Sequence, residues 1–185
     1  MNSINNFLLM LSVLASFVIT SCASHQPIRY DSQLPSSNLP SCFDVPNKKL
    51  TDGASCIALV EAGNRQSQIG LNVEPREKYK VSVPGRQAWF DATRRNTPLC
   101  GEKGSFLMNL FKKRSPESLW FSVLANVIPS DQPAQDLCQQ DLCQQESVFT
   151  AHVPGELILY PNDNDYFYDN NYGKIWVKIE HQKAK

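Results

Sequence analysis

Histidine is the scarcest of the residues that enzymes commonly use for proton transfer, with only three among 185 residues. They lie far apart along the chain, at His25, His152 and His181. Ser115 or Ser118 would therefore lack a nearby base if either acted as a nucleophile. The sequence predicts a protein that is not an enzyme.

The chain also has no excess of charge of either sign. It carries 18 basic and 18 acidic side chains, so its formal net charge is zero. This balance argues against a nucleic-acid partner and against a surface held by anionic lipid headgroups. One short basic cluster, Lys112, Lys113 and Arg114, is typical of a solvated turn.

No apolar run is long enough to span a bilayer, and the run at residues 7–18 is about a dozen residues long. It leads through small residues to Cys22, which resembles the lipobox of bacterial lipoproteins, although residues 1–6 contain no Lys or Arg. The resemblance implies a signal peptide at residues 1–21 and acylation, such as palmitoylation, of Cys22. Ala23 rather than Asp follows the cysteine, which indicates the outer membrane of a bacterial envelope. An ordinary secretory signal with an incidental cysteine is the alternative.

No segment shows a sustained helical period, whereas a two-residue alternation of apolar and polar residues recurs. It is clearest at 69–73, 79–83 and 175–179, and apolar runs at 56–60, 119–127, 148–153 and 157–160 are typical of further strands. Residues 106–111 fit either a strand or one helical turn. The pattern predicts an all-β fold, an antiparallel β-sandwich over residues 42–181. Residues 22–41 have no period and predict a flexible tether, and residues 182–185 a short tail.

Five cysteines remain beyond Cys22, and an exported protein is expected to oxidise them. We expect Cys42 to pair with Cys56, and Cys100 to pair with either Cys138 or Cys143, which lie in a direct repeat. One thiol is left over, and the sequence does not say which. A zinc site is not expected, because no histidine lies near these cysteines.

The loop between the last two strongly patterned strands carries three side chains with oxygen donors, Asp163, Asn170 and Asn171. Hard oxygen ligands in one loop, with backbone carbonyls beside them, favour calcium. The alternative is a purely structural turn, because Asn and Asp are common in turns for conformational reasons alone.

This loop resembles one in the calcium-dependent galactose-binding bacterial lectins. Asn162-Asp163, a six-residue spacer and then Asn170-Asn171-Tyr172-Gly173 match the loop of that family, and the pattern from residue 59 to Trp89 is similar to its first half. The resemblance implies a jelly-roll-like galactose-binding sandwich in which the side chains of Asp163, Asn170 and Asn171 bind calcium. It also implies ligation by the carbonyl of Phe167 and by a carbonyl at or near Trp89.

The same resemblance implies that calcium binds sugar hydroxyls directly. Arg94 and Arg95 stand where those lectins place a His and a Gln, so these arginines would bind hydroxyls or select an acidic sugar. The resulting hypothesis is a lipid-anchored, non-catalytic lectin with carbohydrate and membrane as partners. The alternative is an accessory envelope lipoprotein without metal or sugar. It would dock a protein partner, for example through Trp176, which is out of phase with the core residues of its strand.

Overall fold

A computed structural model describes residues 38–84, 87–91, 94–97, 100–140 and 146–183, and the side chains of residues 91, 94–97, 139 and 140 are outside the description. Cys22, Cys143 and most of the predicted tether therefore lie outside the described residues. The strands are β1 (Ser55–Glu61), β2 (Ser67–Val73), β3 (Lys78–Ser82), β4 (Trp89–Asp91), β5 (Arg94–Thr97), β6 (Cys100–Glu102), β7 (Trp120–Ile128), β8 (Gln135–Asp136), β9 (Ser147–Thr150), β10 (Gly155–Pro161), β11 (Asn171–Tyr172) and β12 (Lys174–His181). Short 3-10 helices span Cys42–Asp44, Pro46–Lys48, Met108–Leu110, Leu137–Gln140 and Tyr168–Asn170.

The strands form two main antiparallel sheets and one small sheet. The first main sheet has the order β1-β12-β3-β9, and the second has the order β2-β10-β7-β6, with β8 also paired to β7. The small sheet has the order β11-β4-β5. The fold is therefore an antiparallel β-sandwich, which confirms the predicted fold class.

The alternation of apolar residues decides which face of each strand is buried. In β12, Ile175, Val177 and Ile179 are fully buried, whereas the residues between them lie on the outer face. Their partners across the core come from the second sheet, for example Leu157 and Leu159 of β10, and all belong to one apolar cluster. Burying this shared face is the main favourable term in the folding of such a sandwich.

Some local predictions need correction. For residues 106–111, which fitted either a strand or one helical turn, the 3-10 helix Met108–Leu110 selects the helical turn. The strand predicted at 148–153 ends at Thr150, so His152 lies beyond it and is exposed. Trp176 lies on the outer face, as predicted, but it is half-buried, and its backbone exchanges two hydrogen bonds with the Gln87 side chain, at 2.7 and 2.9 Å.

The described cysteines resolve part of the predicted pairing. Cys42 and Cys56 form a disulfide, which confirms that prediction. Cys100 is also disulfide-bonded, and Cys138 carries a thiol, so Cys138 is not the disulfide partner of Cys100. Burial raises the pKa of the Cys138 thiol to about 12. The pairing of Cys100 with Cys143 remains a prediction.

Next to that first disulfide, the end of the predicted tether already contacts the sandwich. The Pro40 carbonyl accepts a hydrogen bond from the Ile57 amide at 3.0 Å, and Ser41 forms a parallel bridge with the same residue. The described part of the chain contains no helical segment with the length and hydropathy of a transmembrane span.

Candidate functional site

The predicted loop connects β10 to β11 at one end of the sandwich. After Pro161 the chain leaves the sheet, and a turn closes where the Phe167 amide donates to the Asn164 carbonyl at 2.9 Å. The Asn164 side chain supports this turn, because its Oδ1 accepts from the Tyr166 amide at 2.9 Å. Its Nδ2 donates to the Lys112 carbonyl at 2.6 Å, which fixes the loop to a distant segment of the chain.

Asp163 is buried, with only 2% of its surface exposed. Its Oδ1 accepts the Asn164 amide at 2.6 Å, and its Oδ2 accepts the Asn171 Nδ2 at 2.7 Å. Burial raises the pKa of the Asp163 carboxyl, since it disfavours the charged form, and the two hydrogen bonds offset this in part. The nearby Asp165 raises the pKa further. The carboxylate is thus shielded from solvent and lies near a second negatively charged group.

Asn171 is the second predicted ligand that lies in this buried place, with 7% of its surface exposed. While its Nδ2 donates to Asp163, its Oδ1 is buried and has no hydrogen-bond partner among the described residues. A buried oxygen without a donor or a cation carries an unfavourable desolvation cost. The structure therefore brings a desolvated carboxylate and an unsatisfied amide oxygen together.

The two other predicted ligands of the loop lie outside this buried pair, and Phe167 is half-buried. Asn170 is exposed at the end of the 3-10 helix Tyr168–Asn170. Its backbone amide donates to the Phe167 carbonyl at 3.1 Å, and a carbonyl oxygen with one such bond retains a second lone pair. Neither residue is drawn into the buried pair formed by Asp163 and Asn171.

Strand β4, which contains Trp89, lies directly beside the loop. β11 pairs with β4 in the register Asn171 to Asp91 and Tyr172 to Phe90. Gly173 lies so close to β4 that a Cβ there would be 3.4 Å from the Trp89 Cα. The predicted neighbourhood of Trp89 and the loop is therefore present. The Trp89 indole is fully buried, and its Nε1 has no hydrogen-bond partner among the described residues.

The predicted arginines lie on β5, the next strand of the same small sheet. Arg94 pairs through its backbone with Asp91, so β5 is separated from β11 by β4 alone. The side chains of Arg94 and Arg95 are outside the described part of the structure. Their contact with a ligand remains a prediction.

A cleft of about 470 Å³ opens beside Asn171. It is lined by Glu61, Gly63, Asn64, Asn171, Tyr172, Gly173 and Lys174. Gly63 is needed at its floor, because a Cβ at this position would be 2.9 Å from the Asn171 carbonyl oxygen. The exposed Tyr172 ring stacks on Phe90 with ring centroids 4.8 Å apart, so the rim of the cleft carries an ordered aromatic face.

Sequence reasoning missed how firmly the segment around Arg114 holds this loop. The Arg114 amide donates to the Asp163 carbonyl at 3.0 Å, and its guanidinium lies 4.1 Å from the Tyr160 ring centroid. Lys113 donates to the Ser118 carbonyl, and burial lowers the pKa of its ammonium group. The prediction of a solvated basic turn is therefore wrong for these two residues. The Arg114 contacts with Asp163 and Tyr160 join distant parts of the chain, so no local pattern could have revealed them.

The type of donor limits the metals that this loop can hold. The described residues contain no group of three His, Cys, Asp or Glu side chains that could hold an ion. A metal at the loop would instead use one carboxylate with amide and carbonyl oxygens. Calcium accepts such all-oxygen sets, and softer transition metals prefer nitrogen or sulfur.

Comparison with known proteins yields a likeness to solved structures. No protein-family model matches the chain, and no curated protein matches it significantly. Among solved structures, the chain is similar to an EclA N-terminal domain, described as a PllA-like lectin. The two are 18% identical with a TM-score of 0.45, and the match covers 68% of this chain and 95% of that domain.

Proposed function

We propose that this protein is a lipid-anchored envelope lectin that binds carbohydrate through calcium held by the loop between β10 and β12. The observation that carries the proposal is the buried pair formed by Asp163 and Asn171. A carboxylate that is 2% exposed, beside an amide oxygen with no partner among the described residues, forms a place that a hard cation would stabilise.

The donor set fits calcium in number as well as in type. The side chains of Asp163, Asn170 and Asn171 would bind the ion, together with the carbonyls of Phe167 and Trp89. Calcium takes 6–8 oxygen ligands, so five protein residues leave positions for further oxygens. When bound, the ion supplies those positions to two neighbouring hydroxyls of a sugar.

The surroundings of the loop suit a sugar better than a larger apolar ligand. The adjacent cleft is shallow and has a polar rim, at which Lys174 pairs with Glu61 at 2.8 Å. Tyr172, stacked on Phe90, offers an exposed aromatic face for the apolar side of a pyranose ring. We place Arg94 and Arg95 at this ligand as donors to hydroxyls or to the carboxylate of an acidic sugar.

The remaining part of the proposal concerns the anchor. A signal peptide at residues 1–21 and acylation of Cys22 would attach the sandwich to the outer membrane through its tether. Two or more acyl chains give stable attachment, because each buried methylene contributes about 0.8 kcal/mol. Incorporation of labelled palmitate, with a Cys22→Ser variant as control, tests this part separately.

Thermal unfolding with added calcium, compared with EDTA, tests the metal site. An ion that binds only the folded state stabilises it by about 2.7 kcal/mol at a hundredfold excess over its dissociation constant. We expect a rise of several degrees in the melting temperature, with magnesium giving much less. A glycan array with and without calcium then identifies the sugar. Melting curves that are the same with calcium and with EDTA would refute the metal site and the metal-bridged binding of sugar.

A further inference from the structure

The turn at residues 105–111 exposes the largest group of apolar side chains in the described part of the chain. Phe106 is 79% exposed, Leu107 68%, Leu110 66% and Phe111 50%. We call these four residues the apolar turn. Large apolar side chains grouped on one turn mark an interaction surface, whereas single exposed ones need no explanation.

Hydrogen bonds and packing against Trp120 fix the conformation of the apolar turn. The exposure of its side chains is therefore a property of the folded structure. The Asn109 amide donates to the Ser105 carbonyl at 3.0 Å, and the Asn109 Oδ1 accepts from the Trp120 indole at 3.0 Å. Gly104 lies flat against this indole, where a Cβ would be 2.5 Å from the Trp120 Nε1. The polar side of the turn thus faces the body of the protein, and its apolar side faces outward.

Basic residues lie on both sides of the apolar turn in the chain. From Lys103 to Arg114 the chain has four basic residues and no acidic one, although the whole chain has no net charge. Lys113 and Arg114 are directed back onto the protein, but Lys103 and Lys112 are exposed at the two ends of the turn. An apolar tip flanked by exposed lysines complements a bilayer surface with anionic lipid headgroups.

We propose that the apolar turn inserts into the interfacial region of an anionic bilayer, with Lys103 and Lys112 at the headgroups. The four apolar side chains are at least half exposed, and the cost of leaving them in water is removed when they enter the acyl region. The lipid anchor of the proposed function would keep the domain near such a surface. The apolar turn and its lysines are a separate feature and do not depend on that anchor.

The proposed insertion would also set the orientation of the calcium loop. The Phe111 ring packs edge-on against Phe167 with centroids 4.9 Å apart, and the Lys112 carbonyl accepts the Asn164 side chain. The apolar turn and the loop are thus neighbours in direct contact. A domain inserted by this turn would present the calcium loop close to the headgroups, where the sugars of glycolipids lie.

Quenching of an added tryptophan by spin-labelled lipid tests the insertion. The full chain carrying Phe106→Trp is mixed with phosphatidylcholine–phosphatidylglycerol vesicles that bear a nitroxide in the acyl chain. Phe43→Trp is the matched control, because Phe43 is 59% exposed and lies close to the start of the described chain, beside the tether. The fluorescence of each variant is compared with that of the parent protein, so that the difference reports only the added tryptophan.

We expect Phe106→Trp to lose most of its added emission and to shift to the blue, while Phe43→Trp changes little. Replacing Lys103 and Lys112 by Glu, or omitting phosphatidylglycerol, should weaken the quenching. Equal quenching of the two tryptophans, or none, would overturn the proposal. A blue shift of the Phe106→Trp emission that depends on protein concentration, without vesicles, would overturn it too. The apolar turn would then be a contact between protein molecules. Palmitate labelling reports on the anchor independently, so failure of the anchor and failure of the insertion can be told apart.

Discussion

Asn162 and Ser115 exchange two hydrogen bonds across 47 positions of the chain. The Ser115 amide donates to the Asn162 Oδ1 at 2.9 Å, and the Asn162 Nδ2 donates to the Ser115 carbonyl at 2.9 Å. The same Nδ2 also donates to the Leu119 carbonyl at 2.9 Å. Asn162 is fully buried, and the next residue is Asp163. The position of the buried carboxylate therefore depends on a side chain that is itself not a predicted ligand.

We predict that Asn162→Ala lowers the free energy of unfolding by about 3 kcal/mol, since it removes three hydrogen bonds of about 1 kcal/mol each and leaves the Ser115 amide without its acceptor. Urea unfolding measures this change. Asn64→Ala is the control, because the exposed Asn64 side chain accepts one local hydrogen bond from Gln66, and a surface change of this kind stays within about 0.5 kcal/mol. Equal stabilities of the two variants would contradict the supporting role of Asn162.

The buried state of Asp163 changes what its substitution should do. Asp163→Ala would leave the Asn171 Nδ2 without an acceptor, so this variant should lose stability even without calcium. Asp163→Asn keeps the shape and removes the charge. We expect it to abolish the rise of melting temperature with calcium. Because its one oxygen can keep one of the two hydrogen bonds that Asp163 accepts, the calcium-free variant should lose less stability than Asp163→Ala.

Two further variants serve as controls for that substitution. Asp165→Asn removes the same charge from the same loop, but Asp165 is exposed and lies 3.4 Å from the Arg114 Nε. It should retain the calcium effect. Asn171→Asp keeps an oxygen and adds a charge, so it should preserve or strengthen the effect. Loss of the calcium effect in Asp165→Asn alone would assign the ion to a different part of the loop.

The effect of calcium should depend on pH through Asp163. Burial raises the pKa of this carboxyl above its ordinary value of 3.8, so the folded state holds the proton more tightly than the unfolded state. Without calcium, the contribution of this group to stability is greatest when it is protonated and declines as the pH rises through the two pKa values. Calcium requires the ionised form, so its stabilisation should be complete above the raised pKa and disappear as the pH falls through it.

Melting temperatures measured with calcium and with EDTA across the acidic range test this dependence. In Asp163→Asn the difference between the two curves should be near zero at every pH. A calcium effect in the parent protein that grows on acidification would contradict the assignment of the titrating group to Asp163.

The sequence predicted the sandwich because its main strands keep a strict alternation, as at Ile175, Val177 and Ile179. It did not predict β4, β5, β6, β8 or β11, whose two to four residues are too few to produce a pattern. The segment with these donor residues was predicted to be a loop between two strands, as the structure shows, but the burial of Asp163 was not foreseen. An Asp in a turn-like sequence is expected at the surface. Here the Arg114 amide, which is distant in the chain, and the Asn171 side chain both bond Asp163 and help to enclose it.

The disulfide between Cys42 and Cys56 provides the last prediction. It closes a loop with a sequence separation of 14, and cross-linking of this size contributes about 3 kcal/mol by restricting the unfolded chain. Both cysteines are fully buried, and the bond holds the segment with Pro40 and Ser41 against β1. Replacing both by Ala should lower the free energy of unfolding by about that amount in urea. Cys138→Ala is the control, because it removes a partly buried thiol group that closes no loop. It should lower the free energy of unfolding by about 1 kcal/mol.

Mass mapping of the exported protein should recover the peptides of Cys42 and Cys56 joined. Recovery of these two cysteines as thiols, or a double variant no less stable than Cys138→Ala, would show that the cross-link does not form or does not stabilise the domain.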